Sequence, residues 1–440
     1  MDAREVALLT LSACKRQGAW SDGYLKKAIR EVGLDSRDGA LATQLCAGVL
    51  QNQILLDFYL NHFSKVKTVK MEEKVLLALR LGLYQMLFLD RIPASAAVNT
   101  SVDLARKYSK NPRSAALVNG VLRTIGRQET LPEPQGGLAD RLSVKYSHPQ
   151  WLVKAFLERL GPGETEALLA EDNGRPPIFA HVNPVRTNME GLLARLEGEG
   201  VKAEPHPWLG GCVTLSKTGD VERLESFRKG LFAIQDPAAR LTVLAAGPKP
   251  GMRVLDVCAA PGGKSFAAAM AMGNEGEVIS CDIHPHKKTL IEKGAERLGL
   301  SCVTARVLDA RVSEPEYEGA FDLVIADVPC SGLGVIRKKP DIRYKDPKLL
   351  AELPAVQRAI LENVSRYVKP GGVLVYSTCT VLERENEVIV RHFLGNHQKF
   401  ESEGFRLPGP VGEVGEGMCT LWPHRHGTDG FFIAKLRKEG

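Results

Sequence analysis

Several features that would assign this chain to common protein classes are missing from its sequence. It has no window of about 18 consecutive apolar residues that could span a membrane. The opening MDAREVALLT lacks the apolar run and small-residue cleavage site of a signal peptide. Nine cysteines are present, an odd number without any C-x-x-C pair, so neither a disulfide framework nor a zinc site is predicted. We therefore expect a cytoplasmic protein without a metal.

Positive charge is concentrated near the N terminus. Residues 1–130 carry 19 Lys and Arg against 12 Asp and Glu, a net charge of +7 in a chain whose total is +6. Apolar residues in this region recur at helical spacing, which predicts an all-α domain of about five to seven helices. The basic excess favours a polyanionic partner, although a solvated face without a partner fits the charge almost as well. The basic residues concerned lie in KVKTVKMEEK (65–74) and at Arg106, Lys107, Lys110 and Arg113.

Composition changes twice after this region. The segment TLPEPQGG (130–137) interrupts the helical period and predicts a linker. Residues 138–230 mix helical and strand-like stretches, so we expect a small α+β module that serves as a spacer or a second RNA-contacting surface. From 231 to 440, apolar strands alternate with helices, which predicts a doubly wound, mostly parallel sheet. Ligands of such sheets bind at the carboxyl ends of the strands.

A glycine-containing loop follows the first strand of this sheet and predicts a cofactor site. No G-x-G-x-x-G pattern is present, which argues against a bound pyrophosphate and so against NAD or FAD. Asp282 closes the second strand, where a carboxylate can accept hydrogen bonds from a ribose, and Asp309 closes the third, where it can meet an adenine amino group. Both fit an adenosine moiety. The loop residues are Cys258, Ala259, Ala260, Pro261, Gly262, Gly263 and Lys264.

Two cysteines leave neighbouring strands on the ligand side of the predicted sheet. The fourth strand runs into Asp327-Val-Pro-Cys330 and the fifth into Ser377-Thr-Cys379. A thiolate is needed to methylate carbon 5 of cytosine, because that carbon becomes nucleophilic only after a group adds to carbon 6. Asp327 is placed to bond the base and stabilise the charge that develops on it. These patterns do not rank the two cysteines, and Pro329-Cys330 resembles the nucleophile dipeptide of DNA cytosine methyltransferases.

The motifs DVCAAPGGK, DVPCSGLGVIRKKPDIRY and YSTCTVLERENEVIV resemble those of the RNA 5-methylcytosine methyltransferases. GALATQLCAGVL, AAVNTSVDLARKY and ALVNGVL are similar to the NusB-type RNA-binding helical domain, with Asn99-Thr100 in place of the common Asn-Glu. Together they resemble the bacterial ribosomal RNA small subunit methyltransferase B (RsmB/Sun/Fmu) family over nearly the whole chain. Thr380 stands where that family usually has Ser.

The resemblance implies the fold, the cofactor and the roles of the site residues. It implies a Rossmann-like class I methyltransferase domain over 231–440, a NusB-like domain over 1–130, and S-adenosylmethionine as cofactor. Small-subunit (16S) ribosomal RNA is the implied substrate. Cys379 is the implied nucleophile and Cys330 the residue that assists release. Contacts to the cofactor are implied for residues 258–264, Asp282, Asp309 and Asp327.

Other readings of the sequence lead to different functions. A methyltransferase for protein or small molecules would have no use for the cysteine pair. An RNA-binding assembly factor with a non-catalytic methyltransferase-like domain would not need an intact cofactor loop. We expect a monomeric enzyme in which the basic run RKKPDIRYK (337–345) holds RNA phosphates beside the active site.

Overall fold

A computed structural model describes residues 1–17 and 21–440, which divide into two compact units. The first unit contains Met1–Gly174 and Ile336–Lys345, and the second contains Arg175–Val335 and Asp346–Gly440. The chain therefore leaves the second unit after Val335 and re-enters it at Asp346. Within the described ranges, no helix is long and apolar enough to cross a membrane.

Helices alone form the first part of the first unit, as the sequence predicts. Among the described residues, this part contains six α-helices, which are α1 (Ala3–Gln17), α2 (Ser21–Val32), α3 (Ser36–Phe63), α4 (Glu73–Phe88), α5 (Ala94–Tyr108) and α6 (Ser114–Gly126). Residues 75–85 of α4 are all buried, which makes α4 the central helix of the bundle. The only guanidinium among them, from Arg80, donates two hydrogen bonds to Asp57 at 2.8 and 2.6 Å. Residues 131–135, within the predicted linker, have no regular secondary structure, but the first unit continues past them to Gly174.

Three further helices and one distant segment complete the first unit. The helices are α7 (Leu138–Lys145), α8 (Gln150–Leu160) and α9 (Pro162–Asp172). The distant segment, Ile336–Lys345, contains the basic run that follows the Cys330 loop in the sequence.

Arg343 in this segment is fully buried. Its guanidinium donates to the backbone carbonyls of Gln51, Tyr146, Ser147 and Asp172 at 3.2–3.3 Å and to Oδ1 of Asn173 at 2.8 Å. Burial lowers the pKa of this guanidinium from its ordinary value. Arg337 is also buried and pairs with Glu171. The prediction that the run RKKPDIRYK holds phosphates is therefore wrong for these two arginines, whose side chains are buried within the protein.

The second unit begins with a small antiparallel sheet, which confirms an α+β module, although α7 to α9 from its predicted range of 138–230 lie in the first unit. The strand order is β2-β3-β1-β4. Leu192 and Leu196 of the first of two helices pack with Val213 and Phe232 of the sheet. The elements are β1 (Ile178–Val182), α10 (Met189–Gly198), β2 (Lys202–Pro205), β3 (Cys212–Ser216), α11 (Glu225–Arg228) and β4 (Phe232–Ile234).

A larger sheet of eight strands forms the centre of the second unit, and its mostly parallel order confirms the prediction. The order is β10-β14-β9-β8-β5-β6-β7, with β13 paired to β14. Strands β5 to β9 run parallel, and β14 lies antiparallel to β9. The strands are β5 (Arg253–Asp256), β6 (Glu277–Asp282), β7 (Val303–Val307), β8 (Phe321–Asp327), β9 (Val368–Thr378), β10 (Phe400–Ser402), β13 (Met418–Leu421) and β14 (Phe431–Lys438); a separate hairpin has β11 (Phe405–Leu407) and β12 (Gly412–Val414).

Helices connect the parallel strands of this sheet, and hydrophobic clusters pack on it. Because β5, β6, β7, β8 and β9 are parallel, their carboxyl ends and the loops that follow lie along one edge. Asp327 at the end of β8 is level with Ser377 of β9. The helices are α12 (Pro237–Ala246), α13 (Gly263–Ala271), α14 (Pro285–Leu298), α15 (Pro347–Leu350), α16 (Leu353–Val364), α17 (Glu387–Asn396) and α18 (Pro423–His426).

Candidate active site

The loop after β5 lines a cavity at the carboxyl edge of the large sheet. Gly262 has φ +108°, and a Cβ at this position would lie 2.3 Å from the ring of Phe266. Only glycine fits there, and its backbone leads directly into α13. Burial raises the pKa of the Cys258 thiol well above its ordinary value, so this cysteine is not a thiolate. The lining comprises Ile234, Gln235, Ala239, Asp256, Cys258, Ala259, Ala260, Pro261, Gly263, Lys264 and Asp327.

Asp256, the last residue of β5, also lines this cavity and was not singled out in the sequence. It is fully buried, and its Oδ2 accepts a hydrogen bond from Ser265 Oγ at 2.7 Å. Its Oδ1 has no hydrogen-bond partner among the described residues. Burial raises the pKa of this carboxyl to about 7. The sequence pattern that could have identified Asp256 is an acid at the last position of a strand, directly before a glycine-containing loop.

Asp282 ends β6 and Asp309 lies two residues after β7, both on the same edge of the sheet but outside the lining of this cavity. Asp282 is buried and accepts from the backbone N–H of His284 at 3.0 Å, and Lys287 Nζ lies 3.3 Å from its Oδ2. Both oxygens of Asp309 accept from the guanidinium of Arg311, at 2.9 and 2.7 Å. These hydrogen bonds hold the pKa of Asp309 below its ordinary value. Asp309 therefore already has a partner that an adenine amino group would have to share.

The two candidate cysteines meet at the ends of β8 and β9. Their Sγ atoms are 3.3 Å apart. The hydrogen bond between them lowers the pKa of the Cys379 thiol and raises that of Cys330, and the charge of Lys264 lowers the pKa of Cys379 further. These shifts make Cys379 the more acidic thiol of the pair.

Lys264 connects the cofactor loop with the end of β8. Its ammonium is buried and donates to Asp327 Oδ2 at 2.6 Å. Burial disfavours this charge, but the Asp327 carboxylate outweighs that effect and raises the pKa of Lys264. Ser377 Oγ donates to the other oxygen of Asp327 at 2.8 Å. Asp327 is therefore fixed as an acceptor between the loop and the cysteines.

A buried glutamate holds the loop that carries Cys330. Glu385 Oε2 accepts from the backbone N–H of Ser331 at 2.8 Å and from Gln357 Nε2 at 3.0 Å. The same Gln357 nitrogen donates to the carbonyl of Pro329 at 3.0 Å. The residues on both sides of Cys330 are thus tied to one carboxylate and one amide. Sequence reasoning missed Glu385, although an acid within VLERENEVIV is the kind of residue that a buried network requires.

Comparison with known protein families assigns a family to each of three segments of the chain. Three family profiles match: the NusB family over residues 1–127, a ferredoxin-like domain of RsmF/B-like methyltransferases over 148–222, and the 16S rRNA methyltransferase RsmB/F family over 242–437. The middle module is therefore ferredoxin-like, which its alternating strands and helices fit.

Similar proteins extend over the full length of the chain. Probable ribosomal RNA small subunit methyltransferase B of Bacillus subtilis is 38% identical, with 99% of each chain covered. The protein of the same name from Synechocystis is 34% identical, with 100% of each covered.

Solved structures show the same architecture. The crystal structure of PH0851 is 27% identical and superimposes with a TM-score of 0.83 over 100% of this chain and 99% of that one. A methyltransferase homologue from Pyrococcus horikoshii, 26% identical, covers 69% of this chain and 100% of its own, with a TM-score of 0.59. The resemblance read from the motifs is confirmed: the chain belongs to the ribosomal RNA small subunit methyltransferase B family of S-adenosylmethionine-dependent enzymes.

Proposed function

We propose that the protein methylates carbon 5 of a cytosine in small-subunit ribosomal RNA through a covalent adduct with Cys379. The observation that carries this proposal is the thiol pair, 3.3 Å apart beside Asp327 and Lys264. Methylation of an amine or a carboxylate would not need a nucleophilic thiol. The names of the relatives supply the substrate class, since these proteins are ribosomal RNA methyltransferases.

The proposed reaction starts with addition of the Cys379 thiolate to carbon 6, which forms a carbon–sulfur bond and pushes an electron pair towards carbon 5. Asp327 accepts a hydrogen bond from the amino edge of the base, and its hydrogen bond from the Lys264 ammonium holds the carboxylate in position. S-adenosylmethionine, when bound, supplies the methyl group that carbon 5 takes. Loss of the carbon 5 proton to a base then lets the bond to Cys379 break, which restores the ring. Cys330 protonates the departing sulfur.

The cavity residues fit S-adenosylmethionine. Gly263 lines the cavity without adding a side chain to it, and the unpartnered Asp256 Oδ1 offers a carboxylate oxygen to a ligand with positive charge. Residues 258–264 would hold it, while Asp282 and Asp309 lie where the neighbouring strands end and would meet the ribose and the adenine.

The helices of the first unit would contact the RNA. Lys65, Lys67 and Lys70 are exposed, as are Arg106, Lys107, Lys110 and Arg113, although Arg106 pairs with Asp103 and Lys107 with Glu5. Such a surface attracts phosphates through counterion release.

Product analysis tests this function directly. The purified protein, transcribed small-subunit ribosomal RNA and methyl-labelled S-adenosylmethionine should yield labelled 5-methylcytidine after digestion to nucleosides. Bisulfite sequencing of ribosomal RNA from cells with and without the protein would locate the base. Label in any other nucleoside, or in protein, would refute the proposal.

Binding of S-adenosylmethionine should strengthen as the pH rises through the pKa of Asp256. This pKa is about 7 because of burial, so the carboxyl is largely neutral at pH 6 and ionised at pH 8. A sulfonium cation favours the ionised form, so the affinity should rise by up to about tenfold across this interval. Calorimetry at several pH values measures it. S-adenosylhomocysteine, which lacks the sulfonium charge, and Asp256→Asn should both show flatter profiles, and a flat profile for the wild-type protein with S-adenosylmethionine would contradict the assignment.

Replacing Lys264 with methionine should shift the pH dependence of methyl transfer upward. The ammonium lowers the pKa of Cys379, so without it the thiolate forms only at higher pH. We expect a fall of about 10- to 100-fold in the single-turnover rate at pH 7 with saturating cofactor, partly recovered by raising the pH. Lys264→Arg keeps the charge and is the matched control. An unchanged pH profile in Lys264→Met would remove the lysine from this role.

A further inference from the structure

A second cavity, of about 630 Å³, lies in the second unit between the ferredoxin-like module and α14. Five of its seven lining residues are cationic and one is acidic, which gives the cavity a strongly positive character. The lining residues are Arg186, Arg228, Lys229, Leu231, Lys293, Glu296 and Arg297. We call it the basic cavity.

Two glycines bring the walls of the basic cavity together. Gly299, at φ +73°, ends α14, and a Cβ there would lie 2.3 Å from Arg186 Nη2. Gly230, at φ +68°, would place a Cβ 1.9 Å from the carbonyl oxygen of Arg297. Buried Asn183 joins the walls, since its Nδ2 donates at 2.8 Å to the carbonyls of Gly230 and Leu298. The cations are therefore held by close backbone packing.

Hydrogen bonds to neutral acceptors hold the arginines in place. Arg186 donates to the carbonyl of Leu298 at 3.4 Å, and Arg228 donates to that of Glu222 at 3.1 Å. The Arg297 guanidinium donates to two backbone carbonyls and stacks on the ring of Phe227, with its central carbon 3.8 Å from the ring centroid.

Charge in the basic cavity is poorly compensated. Lys229 has an acidic partner, Glu225, at 2.5 Å. Within the described ranges, the other four cations have no carboxylate within 4 Å. Like charges gathered in one concavity repel each other, and an incoming anion relieves that repulsion.

We propose that the basic cavity binds phosphate groups of the RNA backbone at a distance from the target nucleotide. The identity of the polyanion as RNA rests on the proposed function. Helix α14 begins at Pro285, close to the carboxyl edge of the sheet where the cofactor would bind. Lys293 and Arg297 follow Pro285 by 8 and 12 residues. At about 1.5 Å per residue, these cations lie roughly 12–18 Å along the helix from that edge. The contact is therefore several nucleotides away from the cytosine and carries position rather than sequence information.

The double variant Arg228→Gln/Lys293→Gln tests this site, because both side chains are exposed and lie outside the catalytic cavity. RNA binding is measured with transcribed small-subunit ribosomal RNA and enzyme saturated with S-adenosylhomocysteine, at several salt concentrations. We expect affinity to fall about tenfold near 0.1 M salt, and the slope of log K against log salt to decrease by about 1.5–2. Cofactor affinity and the methylation rate at saturating RNA should not change. An unrelated RNA of the same length should lose affinity by the same factor.

Lys249→Gln/Arg366→Gln is the matched control, since these exposed cations precede β5 and β9 in the same unit and should leave the slope unchanged. If the double variant melts at a lower temperature, the single variant Lys293→Gln replaces it in the test. For that variant the slope of log K against log salt should decrease by about 0.8. Unchanged affinity and slope would overturn the site, as would a loss confined to one RNA sequence. Failure to form 5-methylcytidine would instead refute the proposed function, because binding is measured without methyl transfer.

Discussion

Replacing Cys379 with alanine should abolish methyl transfer, with a fall of about 10⁴-fold or more in rate. Carbon 5 of the cytosine is not activated unless a thiolate adds to carbon 6, and Cys379 is the member of the pair whose pKa is lowered. Incorporation of labelled methyl groups into ribosomal RNA measures the effect.

The control for this substitution is Cys302→Ala, which removes a half-buried thiol next to β7 and should retain activity. A Cys379→Ala enzyme that methylates cytosine at close to the wild-type rate would show that another group attacks the base.

Replacing Cys330 with alanine should still allow attack by Cys379 and block release. The variant keeps the attacking sulfur, whose pKa rises without the Cys330 hydrogen bond, but it lacks the thiol 3.3 Å from Cys379 Sγ. We expect a covalent protein–RNA complex to accumulate in the presence of S-adenosylmethionine, with turnover reduced by about 100-fold or more. Denaturing gel electrophoresis with labelled RNA detects the complex.

The double variant Cys330→Ala/Cys379→Ala separates the two roles, because it should form no covalent complex. If Cys379→Ala accumulated the complex and Cys330→Ala did not, the roles would be exchanged. That outcome would match the Pro-Cys dipeptide of DNA cytosine methyltransferases, which Pro329-Cys330 resembles.

Features that depend on local pattern were predictable from the sequence. The apolar runs of β5 to β9 and the helical spacing between them predict the parallel sheet. The position of each motif directly after a strand predicts that the cofactor site lies at the carboxyl edge of that sheet. The meeting of Cys330 and Cys379 follows from the same rule, because neighbouring parallel strands end side by side.

The ranking of the two thiols depends on three-dimensional neighbours, and so the residue pattern alone left it open. It requires the hydrogen bond between the sulfurs and the ammonium of Lys264, whose residue lies 115 positions from Cys379 in the chain. The family resemblance supplied the same ranking by analogy. The roles of Asp256 and Glu385 were missed for a related reason, since the burial of an acid is set by the elements that cover it.

The burial of Arg337 and Arg343 shows that a cluster of positive charge in the sequence does not by itself predict solvent exposure. A run of cations normally indicates a solvated face. Here one guanidinium meets four backbone carbonyls and an amide oxygen, and the other meets a carboxylate. Neither set of acceptors lies near these arginines in the sequence.

The excursion of Ile336–Lys345 constrains the order in which the protein can mature on the ribosome. The helices of the first unit are complete once Gly174 has emerged, but their folded state also includes a segment made much later. Until about three quarters of the chain has been synthesised, the carbonyls that receive Arg343 and Tyr344 have no partner from this segment. Although domains generally fold in sequence from the N terminus during synthesis, this bundle reaches its final packing only after β5 to β8, four of the eight strands of the large sheet, have been translated.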